Sequence, residues 1–301
     1  MTHDLQEDRR STECICEVCA HHCRLSPGQT GRCLARQNRD GKIISLNYGI
    51  VTSLALDPIE KKPLNRFCPG SRILSVGSFG CNLNCPFCQN HTISRVGAEG
   101  FICPVSGTDT DADTDHSAEY ISPKELADTA QSVKNRGNIG VAFTYNEPLI
   151  GYEYVLDTAK LVHEYGMKNV LVTNGSVSLS VLNRLLPRID AMNIDLKAFT
   201  EKAYEVMGGD LSQTKAFIEE AVKSCHVELT SLIVPGLNDR AEEMEAEAVW
   251  ISSLSPEIPL HITRFFPMYR MKDRAPTDVA LLYALKRIAE KHLKYVYVGN
   301  V

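Results

Sequence analysis

Three cysteines, Cys81, Cys85 and Cys88, fall within eight residues of the stretch "GCNLNCPFCQN". Thiols this close together are a metal-binding or redox set rather than core packing. A closed structural zinc site needs four protein ligands. The fourth here would be His91, at Cys-x2-His spacing from Cys88. A catalytic zinc keeps one position open, but three thiolates with no general base beside them are an unusual choice for it. A 4Fe–4S cluster takes about one thiolate per iron. Three thiolates then leave one iron free to chelate a small molecule through an amino and a carboxylate group.

A second set, Cys16, Cys19, Cys23 and Cys33, offers four thiolates within 18 residues. Four ligands close a site. Zinc fits through a Cys-x2-Cys knuckle, and a second iron–sulfur cluster fits as well, with zinc the slightly better match. His21 and His22 sit among these thiols and Cys14 is a spare. Cys68, Cys103 and Cys225 stand alone, and a lone cysteine is usually a small buried hydrophobe.

The elements that must position these groups can be read from the pattern. Residues 1–70 form a Cys-rich N-terminal segment, with "KIISLNYGIVTSLAL" as one or two strands. The proline-bearing "DPIEKKPLNRFCPG" reads as a loop crossing to the next domain. Residues 71–301 alternate strand and helix. Strands are expected in "RILSVGSF", "NIGVAFTYNEP", "KNVLVTNG", "DAMNIDLKAF", "HVELTSLIVPGLND" and "LHITRFFP", and a last helix leads to "KYVYVGN". Helices are expected from Ser122-Pro123-Lys124-Glu125 (N-cap Ser, Pro at N1, Glu at N3) to about Gly137, then from about Leu149 to Tyr165 and Leu179 to Leu186. Others lie around Ala216–Val222, through Trp250, and from about Asp278 to His292. Asp109, Asp111 and Asp113 imitate the start of a calcium loop, but Thr114 and Tyr120 stand where its glycine and closing glutamate belong. That acidic stretch therefore reads as a solvated loop.

Strand then helix, six times over, means parallel strands joined by crossovers. The expected fold is α/β, a partial (β/α)6 barrel with a small Cys-rich N-terminal segment. Chemistry in such folds sits at the C-terminal strand ends. That rule gathers the three cysteines, Asn146 and Glu147, Asn174, and Asp195 with Lys197 on one mouth. Asp195 and Lys197 alternate along the chain and so share a face. His261 is a weaker candidate, because a single strand histidine is more often a satisfied core residue.

Composition narrows the function. Asp and Glu number 37 against 32 Lys and Arg, a net charge of −5. That lacks the basic excess of a nucleic-acid or anionic-membrane binder and argues against RNA modification. The charged start "MTHDLQEDRR" has no apolar signal region, and no run of about 20 apolar residues is present. A cytoplasmic protein is expected, where clustered cysteines bind metal rather than pair.

Cys-x3-Cys-x2-Cys after the first strand of an α/β barrel, with the aromatic Phe87 before the third cysteine, is the signature of radical S-adenosylmethionine (SAM) enzymes. "DPIEKKPL", "PGS", "TYNEP", "TNG", "NIDLKAF", "LIVPGLND" and "HITRFFP" extend the likeness over nearly the whole chain. Together they resemble the radical enzyme of the AmmeMemoRadiSam system, a relative of the pyruvate formate-lyase activating enzymes. The activase side of the likeness rests on "NIDLK", similar to an Asp-x-Lys motif, and on "VPG".

This resemblance implies a reduced 4Fe–4S cluster on Cys81, Cys85 and Cys88 that cleaves SAM to methionine and a 5′-deoxyadenosyl radical. The radical abstracts hydrogen from a substrate the sequence does not name. The resemblance further implies that Phe87 lies beside the adenine. Asn146 and Glu147 stand where relatives carry a Gly-Gly-Glu stretch that meets the cofactor's amino group; the glycines are absent, so Glu147 carries over better than its neighbours. Lys197 suits the methionine carboxylate and Asp195 its ammonium, with Asn174 and His261 as further cofactor contacts. Implied partners are a flavodoxin- or ferredoxin-type electron donor, a Memo-like protein and an AMMECR-type protein. The family often continues past the last strand with a Cys-containing tail, whereas this chain stops at Val301. Two other readings are a glycyl-radical-enzyme activase and a non-catalytic metal-binding interaction module.

Overall fold

A computed structural model describes residues 12–95 and 118–301. Short strands come first: β1 (Cys14–Ile15) pairs with β2 (Arg24–Leu25), and β3 (Arg36–Arg39) with β4 (Lys42–Ser45). β5 (Ile50–Val51) pairs with β8 (Glu119–Tyr120). The remaining strands form one eight-stranded sheet: β6 (Ser53–Pro58), β7 (Arg72–Gly77), β9 (Asn138–Thr144), β10 (Lys168–Thr173), β11 (Ala191–Asp195), β12 (His226–Ile233), β13 (Leu260–Arg264) and β14 (Val296–Gly299). From β7 to β14 every neighbouring pair is parallel. The six expected strands are therefore present, with Val296–Gly299 as an additional closing strand. Residues at both ends of this series, Lys62 just after β6 and Tyr297 in β14, line one cavity. The sheet must therefore curl around it as a partial barrel.

Helices follow the strands: α1 (His91–Ser94), α2 (Pro123–Ser132), α3 (Tyr152–Glu164), α4 (Leu179–Leu185), α5 (Glu201–Met207), α6 (Leu211–Ala221), α7 (Ala241–Leu254) and α8 (Val279–Ala289). α2 begins with the expected capping box: the Ser122 side chain accepts from Glu125 N–H while the Glu125 carboxylate accepts from Ser122 N–H at 2.8 Å. α5 is an addition to the expected set. Its signals are local, an N-cap Thr200 accepting from Ala203 N–H and Gly208 at φ +69° ending it, but seven residues carry too little periodicity to announce a helix. The calcium-like residues Asp109, Asp111 and Asp113 lie outside the described residues. The end of that stretch, Glu119–Tyr120, is strand β8 rather than loop.

Two boundaries move. The sheet begins before residue 71, because β6 pairs antiparallel with β7 from Ser53↔Gly77 to Pro58↔Arg72. The "DPIEKKPLNRFCPG" stretch is no crossing linker either. Ile59 and Leu64 are fully buried against Ile73, Ala142, Val170 and Ala191, so this strap packs against the inner side of the sheet. Its backbone polar groups then need partners. Asn193 Nδ2 donates to Pro63 O at 2.9 Å, and the fully buried Glu228 carboxylate accepts from Asn65 N–H (3.0 Å) and Arg66 N–H (2.7 Å). His226 and His261 approach the same carboxylate at 3.0 and 2.6 Å.

Burial alone would raise the Glu228 carboxyl, but the hydrogen bonds from His226, His261 and Arg66 outweigh it and hold it at about 2. Its folded pKa thus lies below the unfolded one. The stabilisation is complete above roughly pH 4.5 and is lost as pH falls toward 2; the shift corresponds to about 3 kcal/mol. Glu228→Gln should destabilise the chain by that order at pH 7, and the gap to the parent should close between pH 4.5 and 2. Urea unfolding of both proteins across that range tests this. A gap independent of pH would show that shape rather than charge holds the strap.

Candidate active site

The three-cysteine loop leaves β7 and runs to α1 without regular secondary structure. Its backbone is held from all sides instead. Ser78 N–H donates to Asn146 Oδ1 (3.0 Å), and Asn146 Nδ2 donates to the carbonyls of Phe79 and Gly80, both at 3.1 Å. Asn47 Nδ2 also donates to Phe79 O. Cys81 N–H donates to Cys33 O (3.1 Å), Asn84 N–H to Met207 O (2.8 Å), and Arg270 N–H to Pro86 O (3.0 Å). Asn82 Nδ2 reaches Ser176 O at 2.6 Å. Gly80 is required where it stands: its φ is +87°, and a Cβ would lie 2.6 Å from Cys33 O.

Cys81, Cys85 and Cys88 line a cavity of about 630 Å³ at the C-terminal ends of the parallel strands. Burial pushes the Cys81 thiol well above its usual range. It pushes Cys85 up to about 12 against the opposing pull of Lys197. Two donors nevertheless point at Cys81 Sγ, Leu83 N–H at 3.4 Å and Asn174 Nδ2 at 3.6 Å. Donors aimed at a sulfur favour its thiolate, and a thiolate this deep needs a cation. A bound iron–sulfur cluster meets both conditions. His91, the fourth ligand of a zinc alternative, has Nδ1 3.2 Å from Cys88 O and its ring stacked on Tyr269. The three-thiol set and the size of the cavity suit a cluster.

The structure brings the other expected residues to this cavity: Phe87, Asn146, Glu147, Asn174, Asp195, Lys197 and His261 all line it. Their hydrogen bonds differentiate them. Lys197 Nζ lies 2.6 Å from Asp195 Oδ2. Burial would lower this lysine, but Asp195 and Cys85 outweigh it and hold it above its usual range. The two therefore pair with each other. Glu147 is buried, and its carboxylate accepts from Thr173 Oγ1 (2.7 Å), Asn174 N–H (2.8 Å) and Leu149 N–H (3.0 Å). Burial raises this carboxyl to about 7 despite those bonds. Asn146 spends its amide on the cysteine loop, Asn174 on Cys81 and Asn82, and His261 on Glu228. These three brace the site.

A group the sequence reading passed over also lines the cavity. Lys62 is buried, pairs with Asp57 Oδ2 at 2.9 Å, and lies 4.6 Å from the centre of the Tyr145 ring. Tyr145 OH donates to the same carboxylate at 2.9 Å. Burial would raise Asp57, but Lys62 and Tyr145 hold it at about 2. Tyr145 adopts φ +72°, uncommon for a non-glycine residue, and its ring occupies the space a Cβ on Gly77 would take. Lys62 sits in a lysine-rich strap, which reads as a solvated turn until the strap's packing is known.

A family model described as the Radical SAM superfamily matches residues 75–248, starting within the strand that carries the cysteine loop. The chain belongs to the radical SAM superfamily. Membership makes it an enzyme, and the family implies a 4Fe–4S cluster and SAM as its working groups. This radical SAM enzyme is 36% identical to the uncharacterized protein MJ0808 of Methanocaldococcus jannaschii over 297 residues, 95% of this chain and 81% of that one. Streptococcus suis SuiB bound to S-adenosylmethionine is similar in fold, with a TM-score of 0.53 and 15% identity over 75% of this chain and 51% of that one. A domain of pyruvate-formate lyase-activating enzyme from Bacteroides vulgatus ATCC 8482 matches 54% of this chain and 99% of its own at 16% identity and a TM-score of 0.47. Among the described residues no helix is long and apolar enough to cross a membrane.

The bracing role of Asn146 is directly testable. Asn146→Ala removes one acceptor and two donors from the loop; Phe79 O keeps its Asn47 donor and Gly80 O the Glu147 N–H, so Ser78 N–H is the group left unpaired, at a cost of about 1–3 kcal/mol. The variant should lose several degrees in melting temperature and, after anaerobic reconstitution, hold less than half the parent's iron. Unchanged iron content would show that the loop does not need this anchor.

Proposed function

We propose that this chain is a radical SAM enzyme of the AmmeMemoRadiSam type, acting on a substrate held in the 630 Å³ cavity at the strand ends. The observation that carries this reading is the opening of all three loop thiols on to the cavity that also holds the Asp195–Lys197 pair. Cys81, Cys85 and Cys88 are the ligands of the cluster. When bound, the cluster and SAM supply one-electron cleavage of a sulfonium carbon–sulfur bond and the hydrogen abstraction that follows. Phe87, buried between the second and third thiols, walls the adenine side.

Lys197 and Asp195 would exchange their mutual ion pair for the carboxylate and amino group of the methionine moiety. An exchange of this kind conserves the number of charge-assisted hydrogen bonds, so the cofactor does not leave a buried charge unpaired. Asn174 donates to Cys81 and steadies the sulfur beside the reacting atoms. Glu147, already holding three donors, sets the strand ends rather than the cofactor. A flavodoxin- or ferredoxin-type protein would deliver the electron, and Memo-like and AMMECR-type proteins are the partners this reading names. The cytoplasm, a reducing compartment, suits the eleven cysteines.

Anaerobic reconstitution with iron and sulfide, then addition of SAM and dithionite, should yield 5′-deoxyadenosine from the parent and none from Cys85→Ala. No product from a fully loaded parent would refute the mechanism and favour a metal-binding module. Lys197→Met leaves the partly buried Asp195 without its partner and should weaken SAM binding at least tenfold by calorimetry on the unreduced, cluster-loaded protein. Unaltered affinity would remove the Asp195–Lys197 pair from cofactor recognition.

A further inference from the structure

We infer that Cys16, Cys19, Cys23 and Cys33 bind one zinc ion in a closed site directly behind the cysteine loop of the barrel. The four residues line one small enclosed cavity of about 10 Å³. Cys16, Cys19 and Cys33 are each under a tenth exposed. The chain brings them together through the β1–β2 hairpin, in which Cys16 N–H donates to Cys23 O (3.0 Å), and a tight turn in which His22 N–H donates to Cys19 O.

Three observations point to a cation among these sulfurs. The first is the orientation of the amides. Val18 N–H faces the Cys16 sulfur, His21 N–H that of Cys19, and the N–H groups of Ala35 and Arg36 that of Cys33. Each set includes the residue two positions on, as Leu83 does for Cys81. Such N–H groups are the partners that ligating sulfurs take around a bound metal.

The second is Arg36. It is 2% exposed, lines the same cavity, and has a buried Nε with no partner. One of its other nitrogens, Nη1, reaches Glu153 at 2.8 Å. A zinc ion with four thiolates carries a net charge of about −2, which gives this guanidinium both a counter-charge and a sulfur acceptor.

The third is the donor set. A compact four-sulfur donor set is that of structural zinc. Since no three such groups among the described residues stand at single-ion spacing, binding must draw the sulfurs inward, as expected where metal binding and folding are coupled.

The neighbouring candidates are otherwise engaged. Cys14 Sγ donates to Gly41 O at 2.9 Å. His22 is exposed, and His21 Nε2 lies 2.8 Å from Asn82 O. Asn82 belongs to the barrel loop, and Cys33 O accepts from Cys81 N–H. The zinc knot is thus joined to the barrel thiol loop at two points, and a rigid knot fixes where Cys81 stands.

The test separates this site from the barrel thiols. The variant Cys81→Ala/Cys85→Ala/Cys88→Ala, purified without added metal, should be colourless and hold about one zinc per chain by mass spectrometry. Replacing zinc by cobalt(II) should give the visible bands of a tetrahedral four-thiolate site. Adding Cys23→Ser should abolish the zinc, while adding His21→Ala should retain it. Iron with sulfide at the remaining cysteines, retention of no metal at all, or zinc loss with His21→Ala would each overturn the assignment. Should the triple variant fail to fold, the reconstituted parent decides: one zinc with four irons supports the site, and eight irons without zinc refute it. Neither readout depends on turnover, so failure of the radical reading and failure of the zinc site are distinguishable.

Discussion

A loop without secondary structure has to present three sulfurs in fixed positions, and its own backbone supplies almost none of the hydrogen bonds that would hold it there. Most of the architecture around the site answers that requirement. Several carbonyls and amides of the loop find partners on different elements. Asn146 stands after β9, Met207 ends α5, Ser176 follows β10, Arg270 follows β13, and Cys33 belongs to the N-terminal knot. A rigid site thus emerges from many single bonds anchored on packed elements, and where a group has one partner its loss leaves that group unpaired.

Asparagine carries much of this work. Asn47, Asn82, Asn146 and Asn174 each contact the loop or belong to it, and Asn193 and Asn238 do the same for the strap and for the segment after β11. A short side chain with both a donor and an acceptor can close a backbone gap without introducing a charge. Charges, where they enter the barrel, come in compensated groups: Asp57 with Lys62 and Tyr145, Glu228 with two histidines and two amides, Asp195 with Lys197. The third group differs in kind. Asp195 and Lys197 keep part of their surface open to the cavity, so a ligand can compete for them, whereas the Glu228 carboxylate is closed off on all sides.

The N-terminal segment also changes meaning in three dimensions. Its Cys-rich start packs against the barrel thiol loop, β6 extends the barrel sheet, and the strap that follows packs into the sheet's inner side. These residues complete the site as much as the parallel strands do. The boundary near residue 70 therefore marks a change of sequence character more than a division of the fold.

What the sequence determined by itself was chiefly local and periodic. Thiol spacing, the alternation of apolar strands with capped helices, and polar residues placed just after each strand were legible because those signals depend on near neighbours along the chain. They led to the parallel α/β architecture and to the residues that line the cavity. The tertiary structure alone decided which of those residues remain available. Glu147, Asn146, Asn174 and His261 are engaged by groups 26 to 93 residues away, or by neighbours placed by such packing. Only the folded chain reveals that the "DPIEKKPLNRF" strap packs against the sheet, that Lys62 faces the cavity, and that Arg36, its Nε unpartnered, lines one cavity with the four N-terminal thiols. The reason is physical: residue type and spacing specify what a side chain can bind, but its actual partners are set by long-range packing, which no local pattern records.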